Sequence, residues 1–243
     1  MARFFVSTED LNHDVIILSG DQAAHAKVLR LKPGEQVYVC DGVATECLCT
    51  VLDCDNGEYR LAVESKQNIH TEASVKVSIY MAFSKSDKLE HVIQKATELG
   101  AFEIVAFPSA RCIAKVDEKN LQKKLERWNK IAASAAEQSG RGVVPQVVVL
   151  SSYNEALCRA SGADLSILFY ENEHSTTLHH ALACGSFNTV SLLTGPEGGL
   201  EEREVELASA AGLKICTLGS RILRCETAPL CALSAVMYHV GEF

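Results

Sequence analysis

Apolar and polar positions alternate in two different textures along the chain. Up to about residue 70, short apolar runs are separated by turn signals. Val15-Ile16-Ile17-Leu18, Gln36–Cys40, Thr45–Leu52 and Tyr59–Lys66 read as strands. Lys32-Pro33-Gly34, Asp41-Gly42 and Asp55-Asn56-Gly57 punctuate them with residues that favour tight turns. Asp21–Arg30 has helical spacing. Several short strands with one helix predict a small β-barrel.

From Val75 onward, strand-like and helix-like segments alternate. Strands are predicted at Val75–Phe83, Glu103–Phe107, Gln146–Leu150, Leu165–Tyr170, Thr189–Leu193 and Lys214–Thr217. Helices are predicted from Asp87 to Gly100, then at Leu121–Ser139, Tyr153–Ala160, Thr177–Cys184, Glu201–Ala211 and Ala228–Val240. Asp87-Lys88-Leu89-Glu90 has the spacing of a capping box. This alternation predicts an α/β fold built on a mainly parallel sheet. The change of texture falls in Gln67–Ser74, giving domains of residues 1–72 and 73–243.

Composition narrows the class. The chain has 243 residues, 47% hydrophobic and 22% charged, as in a soluble globular protein. No apolar run approaches the roughly 18 residues of a membrane span. Arg3, Glu9, Asp10 and Asp14 make the N-terminus unlike a signal peptide, so a cytoplasmic protein is expected. None of the ten cysteines forms a Cys-x-x-Cys pair. Cys40, Cys47, Cys49 and Cys54 are expected as reduced, mostly buried thiols rather than metal ligands. His174, His179 and His180 lack the spacing of a metal-binding helix motif, so no metal is expected.

The net charge of −8 hides an uneven distribution. Residues 1–75 hold 6 Lys/Arg against 12 Asp/Glu, residues 76–144 hold 12 against 8, and residues 145–243 hold 5 against 11. An acidic protein with a basic middle segment can still present a local phosphate-binding face. Trp128 lies within that segment beside Arg127 and Lys130. It reads as a core residue before it reads as a base-stacking platform. Gln138 and Arg141, at the end of the long helix, are placed to meet a base edge or a phosphate.

Two loops carry the candidate chemistry. Leu193-Thr194-Gly195-Pro196-Glu197-Gly198-Gly199 and Leu218-Gly219-Ser220-Arg221-Ile222-Leu223-Arg224-Cys225-Glu226-Thr227-Ala228 each follow a strand and precede a helix. Loops at the C-terminal ends of strands form the ligand crevice of open α/β sheets. The first loop has no phosphate-binding lysine and no dinucleotide fingerprint. Glu201 and Glu202, which open the following helix, favour its N-terminus electrostatically and repel a phosphate there. A cation or a neutral heterocycle suits this loop better. The second loop offers Arg221 and Arg224 as planar donor forks. Thr227 and Pro229 suit the start of the final helix, which is apolar nearly all round and therefore buried or at an interface.

At these residues the chain resembles the RsmE-type ribosomal RNA uridine methyltransferases of the SPOUT superfamily. The likeness runs through Arg3-Phe4-Phe5, His25-Ala26-Lys27-Val28-Leu29-Arg30, Gly34 and Asp41-Gly42. It continues in Lys95-Ala96-Thr97-Glu98-Leu99-Gly100, Pro108–Arg111, Arg127-Trp128 and Glu137–Arg141, and ends in the two loops. The resemblance implies a trefoil-knotted C-terminal domain, a PUA-like N-terminal barrel and a homodimer packed through knot helices. It also implies methylation of uridine N3 in 16S ribosomal RNA, free or assembled in the 30S subunit, with S-adenosylmethionine as cofactor.

The residues implied to hold that cofactor are Tyr170, Glu171, Thr194, Gly195, Pro196, Glu197, Gly198, Gly199, Leu218, Gly219, Ile222 and Leu223. Arg3, Lys27, Arg30, Arg111, Gln138 and Arg141 are expected to contact RNA. Arg224 is expected to stabilise the anion that develops on the base, with Arg221 or Arg141 on a phosphate. Glu226 and Glu197 are both candidates for the proton acceptor, and solvent is a third. Two other readings of the same loops are an RNA-binding assembly protein and a methyltransferase acting elsewhere on RNA, for example at a ribose 2′-oxygen.

Overall fold

The computed structural model describes residues 1–112, 118–183 and 185–243. Cys184, the end of one expected helix, lies outside them. Two compact units are present: Met1–Glu72 with Ser134–Val144, and Ala73–Ala133 with Pro145–Phe243.

The first unit is a five-stranded sheet in the order β1-β3-β4-β5-β2. Its strands are β1 (Arg3–Phe5), β2 (Val15–Leu18), β3 (Gln36–Cys40), β4 (Thr45–Asp55) and β5 (Glu58–Asn68). β1 runs parallel to β3, and the other pairings are antiparallel. Alternation along β2 buries Ile16 and Leu18 while Val15 and Ile17 face out, as the period of a one-sided strand requires. Phe4, Val37, Val39, Cys47, Cys49 and Leu61 join them in the core. α1 (Gly20–Val28) covers this core with Ala23 and Ala26. At the Asp55-Asn56-Gly57 hairpin, Asn56 and Gly57 both take positive φ, the geometry expected there of Asn-Gly.

The second unit is a six-stranded, all-parallel sheet in the order β11-β9-β10-β6-β7-β8. The strands are β6 (Lys76–Ala82), β7 (Glu103–Phe107), β8 (Gln146–Val149), β9 (Leu165–Phe169), β10 (Thr189–Thr194) and β11 (Lys214–Cys216). β7 and β9 are buried at every position, as expected of strands in a covered parallel sheet. The helices are α2 (Ser86–Glu98), α3 (Glu118–Ser139), α4 (Tyr153–Ala160), α5 (Leu178–Leu182), α6 (Glu202–Ala210) and α7 (Ala228–His239). α3 begins in this unit, and its residues from Ser134 onward group with the first unit.

Two expectations are corrected. α2 starts at Ser86 with Lys85 at the N-cap and no side-chain cap bond, so Asp87 is a first-turn acid rather than a cap. A carboxylate does reach back in this way in α6, where Glu204 Oε2 accepts from the Glu201 amide at 2.9 Å. Thr227 stands at the N-cap of α7 but in helical φ/ψ, without a side-chain bond, and Pro229 follows in the first turn. Trp128 is 3% exposed and belongs to the core, as expected.

Candidate functional site

The five loops that follow β6, β7, β9, β10 and β11 all leave C-terminal strand ends of one parallel sheet. The sequence runs outward from β6 through β7 to β8, then returns to place β10 beside β6. The crevice beside such a reversal is the general ligand site of open α/β sheets.

The first glycine loop is tightly folded. Gly199 N donates to Pro196 O at 3.0 Å, and Gly199 takes φ +70°. A side chain there would overlap the carboxylate of Glu171, which comes from the loop after β9. Thr194, at the end of β10, is buried and its hydroxyl donates to Tyr80 O at 3.4 Å. Gly198 accepts from Arg111 Nη1 at 3.3 Å and lies against Arg111, where a Cβ would be tight at 3.1 Å from the Arg111 Cβ and 3.2 Å from its carbonyl oxygen. Arg111 Nε also stands 4.0 Å from Glu201 Oε1. Glu204 completes this corner, since its Oε1 accepts from Ala110 N and its backbone carbonyl accepts from Tyr153 Oη, both at 2.9 Å. Thus the β7 and β10 loops are tied together through the start of α6.

The second loop begins with a self-contained turn. Thr217 Oγ1 donates to Gly219 O at 3.1 Å and accepts from Gly219 N at 3.2 Å. Gly219 takes φ +109°, a conformation natural to glycine. Thr217 also bridges Thr177, which anchors the loop to the segment after β9. There, the Glu173 carboxyl is held down to about 2 by the Ser175 hydroxyl and the amides of Thr176 and Ser175. Tyr170 is half-buried, and its hydroxyl accepts from Asn172 Nδ2 at 3.1 Å. Further along, Arg221, Ile222 and Arg224 are exposed, while Leu223 is partly covered. Arg224 O accepts from the amides of Thr227 and Ala228 at 2.8 and 2.9 Å, turning the chain into α7.

Lys88, in the first turn of α2, joins the two loops. Its Nζ lies 3.5 Å from Glu197 Oε1 and 3.2 Å from Glu226 Oε2. It also reaches Cys225 Sγ at 3.7 Å, and Cys225 donates to Glu226 Oε2 at 3.2 Å. Glu197 Oε1 accepts in addition from Lys85 N at 3.1 Å, whereas Glu197 Oε2 is buried without a partner. Burial alone would raise both carboxyls. Backbone amides and Lys88 outweigh it and hold Glu197 and Glu226 below the usual carboxylate range. Burial, then the bond to Glu226, pushes the Cys225 thiol up to about 11. Sequence reasoning missed Lys88. The available signal was its place just after Ser84-Lys85, at the end of a strand of the same sheet.

The expected RNA contacts separate into two groups. Lys27, Arg30, Arg111 and Gln138 are exposed. Arg3 is 7% exposed and Arg141 6% exposed. Arg3 Nη1 pairs with Glu46 Oε2 at 2.6 Å and lies over the Tyr38 ring, and Arg141 pairs with Glu72. Buried charge must be paired, so both guanidiniums are used inside the first unit instead of on its surface. No cluster of metal-ligating side chains occurs among the described residues.

The comparisons agree with this geometry. The RNA methyltransferase domain model matches residues 71–237, and the RNA methyltransferase PUA domain model matches residues 18–64. The chain is 38% identical over 229 residues to ribosomal RNA small subunit methyltransferase E of Bacillus subtilis, covering 91% of this chain and 89% of that one. The crystal structure of ribosomal RNA small subunit methyltransferase E from Neisseria gonorrhoeae, bound to S-adenosyl methionine, superposes with a TM-score of 0.87 at 29% identity, covering 98% of this chain and 97% of that one. A Legionella pneumophila methyltransferase in complex with the same cofactor gives a TM-score of 0.86 at 27% identity, with 98% and 97% coverage. The chain therefore belongs to the RNA methyltransferase family that includes ribosomal RNA small subunit methyltransferase E.

Proposed function

We propose that the protein is a cytoplasmic methyltransferase that uses S-adenosylmethionine to methylate N3 of a uridine in 16S ribosomal RNA. The observation that carries this reading is the convergence of the two glycine loops, with the Tyr170–Glu171 segment, at one end of a parallel sheet. The loops fit the cofactor. Gly195, Gly198 and Gly199 are packed where a Cβ would meet Leu200, Arg111 and Glu171, which lets the loop of Thr194, Pro196 and Glu197 fold tightly against its neighbours. Leu218, Gly219, Ile222 and Leu223 supply the facing edge. The carboxylates of Glu171, Glu197 and Glu226 make the surroundings suitable for a cation. When bound, the cofactor supplies an electrophilic methyl group.

The chain's own residues must position the base and support loss of the N3 proton. Orientation of reactants can account for up to roughly 7–11 kcal/mol of a barrier. In our reading Arg224 donates to a uracil carbonyl and stabilises the charge left on the ring as the proton departs. Arg221 holds a phosphate. Arg141, the other candidate for that task, is already paired with Glu72. Glu226 is engaged by Lys88 and Cys225 and held below the ordinary carboxyl range, so it is a weak proton acceptor. Its part is electrostatic, and the proton passes to solvent. Arg224→Ala tests the assignment, with cofactor affinity expected to survive while turnover falls at least about 100-fold. Unchanged turnover would remove Arg224 from the mechanism.

The finer architecture belongs to the same proposal. The chain threads the loops around β10 and β11 as a trefoil knot, and the five-stranded sheet closes as a PUA-like barrel that offers Lys27 and Arg30 to RNA. A second copy packs on α7. Exposed Ile222, in the second loop, and Tyr238, in the last turn of α7, 84% and 74% accessible, support that last point by leaving apolar surface uncovered.

A further inference from the structure

The two glycine loops leave β11 and β10, which are not neighbours, since β9 lies between them. No strand pairing therefore couples one loop to the other. The connection comes from a third element, the first turn of α2, through Lys88. Its ammonium stands 3.5 Å from Glu197 Oε1 and 3.2 Å from Glu226 Oε2, with Cys225 Sγ at 3.7 Å. An ammonium has three N–H donors, and three protein acceptors surround this one. About a fifth of the side chain is exposed: 20% for Lys88, against 18% for Glu197 and 25% for Glu226. Without the cation, the two carboxylates would face each other in a partly water-excluded corner and push the loops apart.

We propose that Lys88 is a positioning residue that holds the two loops in register for cofactor binding by placing one positive charge between Glu197 and Glu226. This rests on the cofactor assignment above and deepens it. Lys88 spends its donors on the protein, so it acts on the cofactor loops and not as a phosphate contact. The loops of a protein lacking this charge populate the binding-competent arrangement less often, and apparent affinity falls in proportion.

The test is calorimetric titration of the full-length protein with S-adenosylmethionine, together with methylation kinetics on ribosomal RNA. Lys88→Met should weaken cofactor binding about tenfold or more if the competent fraction drops to about a tenth. KM for the cofactor should rise accordingly, kcat at saturation should stay within a few-fold, and KM for RNA should not change. Lys88→Arg, which keeps the charge, should restore most of the affinity. A merely structural lysine would show neither this rescue nor a loss confined to the cofactor KM. Wild-type affinity in a folded Lys88→Met protein would overturn the inference and leave the cofactor assignment standing. So would equal losses in Lys88→Met and Lys88→Arg. Failure of the wild-type protein to bind the cofactor would overturn both.

Discussion

The carboxylate of Glu171 occupies the space into which any side chain at Gly199 would project. The two residues belong to different loops, one after β9 and one after β10, and the two loops meet at this point. Gly199 also holds φ +70°, where an L-residue costs about 1–2 kcal/mol. Gly199→Ala should therefore displace Glu171 and open the first loop. The expected result is loss of S-adenosylmethionine binding by at least about tenfold with a small drop in melting temperature. Titration calorimetry beside a thermal melt separates the two effects, and unchanged affinity would show that the contact does not shape the site.

Arg3 and Glu46 form a buried ion pair in the first unit, extended by Gln67 Nε2, which donates to Glu46 Oε1 at 2.7 Å. Breaking such a pair leaves an uncompensated charge inside and costs about 3–5 kcal/mol. Glu46→Ala should lower unfolding stability in urea by that order while RNA affinity per folded molecule is unchanged. Replacing exposed Lys27 and Arg30 by alanine should do the reverse. Stability should hold, and the salt dependence of RNA binding should flatten by about one unit of slope per residue. Equal RNA defects in both sets would return Arg3 to the RNA surface.

Much of the fold was legible because periodicity is a local signal. Glu103–Phe107 and Tyr153–Ala160 form the predicted strand and helix. The parallel sheet followed from their alternation with the other segments. Arg3–Phe5 is a strand too short to show a period, and its parallel partner, β3, lies more than thirty residues away. The two loops announced themselves through their glycines and arginines. Lys88 did not, because its meaning comes from Glu197 and Glu226, which only the fold brings to it. The burial of Arg3 and Arg141 was hidden for the same reason. An arginine looks alike in sequence whether it faces a phosphate or a carboxylate.

The charge brace has a defined pH window. Glu197 and Glu226 carry pKa values lowered from 4.5, so their contribution is complete above that value and disappears as pH falls through the lowered ones. Burial would depress Lys88, but Glu226, Cys225 and Glu197 hold its pKa above 10.5. Its contribution is complete below that value and lost only as pH rises past the raised one. Wild-type cofactor affinity should thus be flat between about pH 6 and 9 as far as these groups determine it, and should decline only in acid, below the ordinary carboxyl range. Titrations across that range check the expectation, and a transition near neutral pH would assign control to another group.

The proposed reaction transfers a methyl group to uridine N3 in small-subunit ribosomal RNA. The most direct measurement incubates the purified protein with isotopically labelled S-adenosylmethionine and 30S subunits or 16S RNA from cells lacking it, followed by nucleoside mass spectrometry. Labelled 3-methyluridine is expected at a single position and should be abolished by Arg224→Ala. Label on a ribose oxygen, or no label in RNA despite bound cofactor, would contradict it.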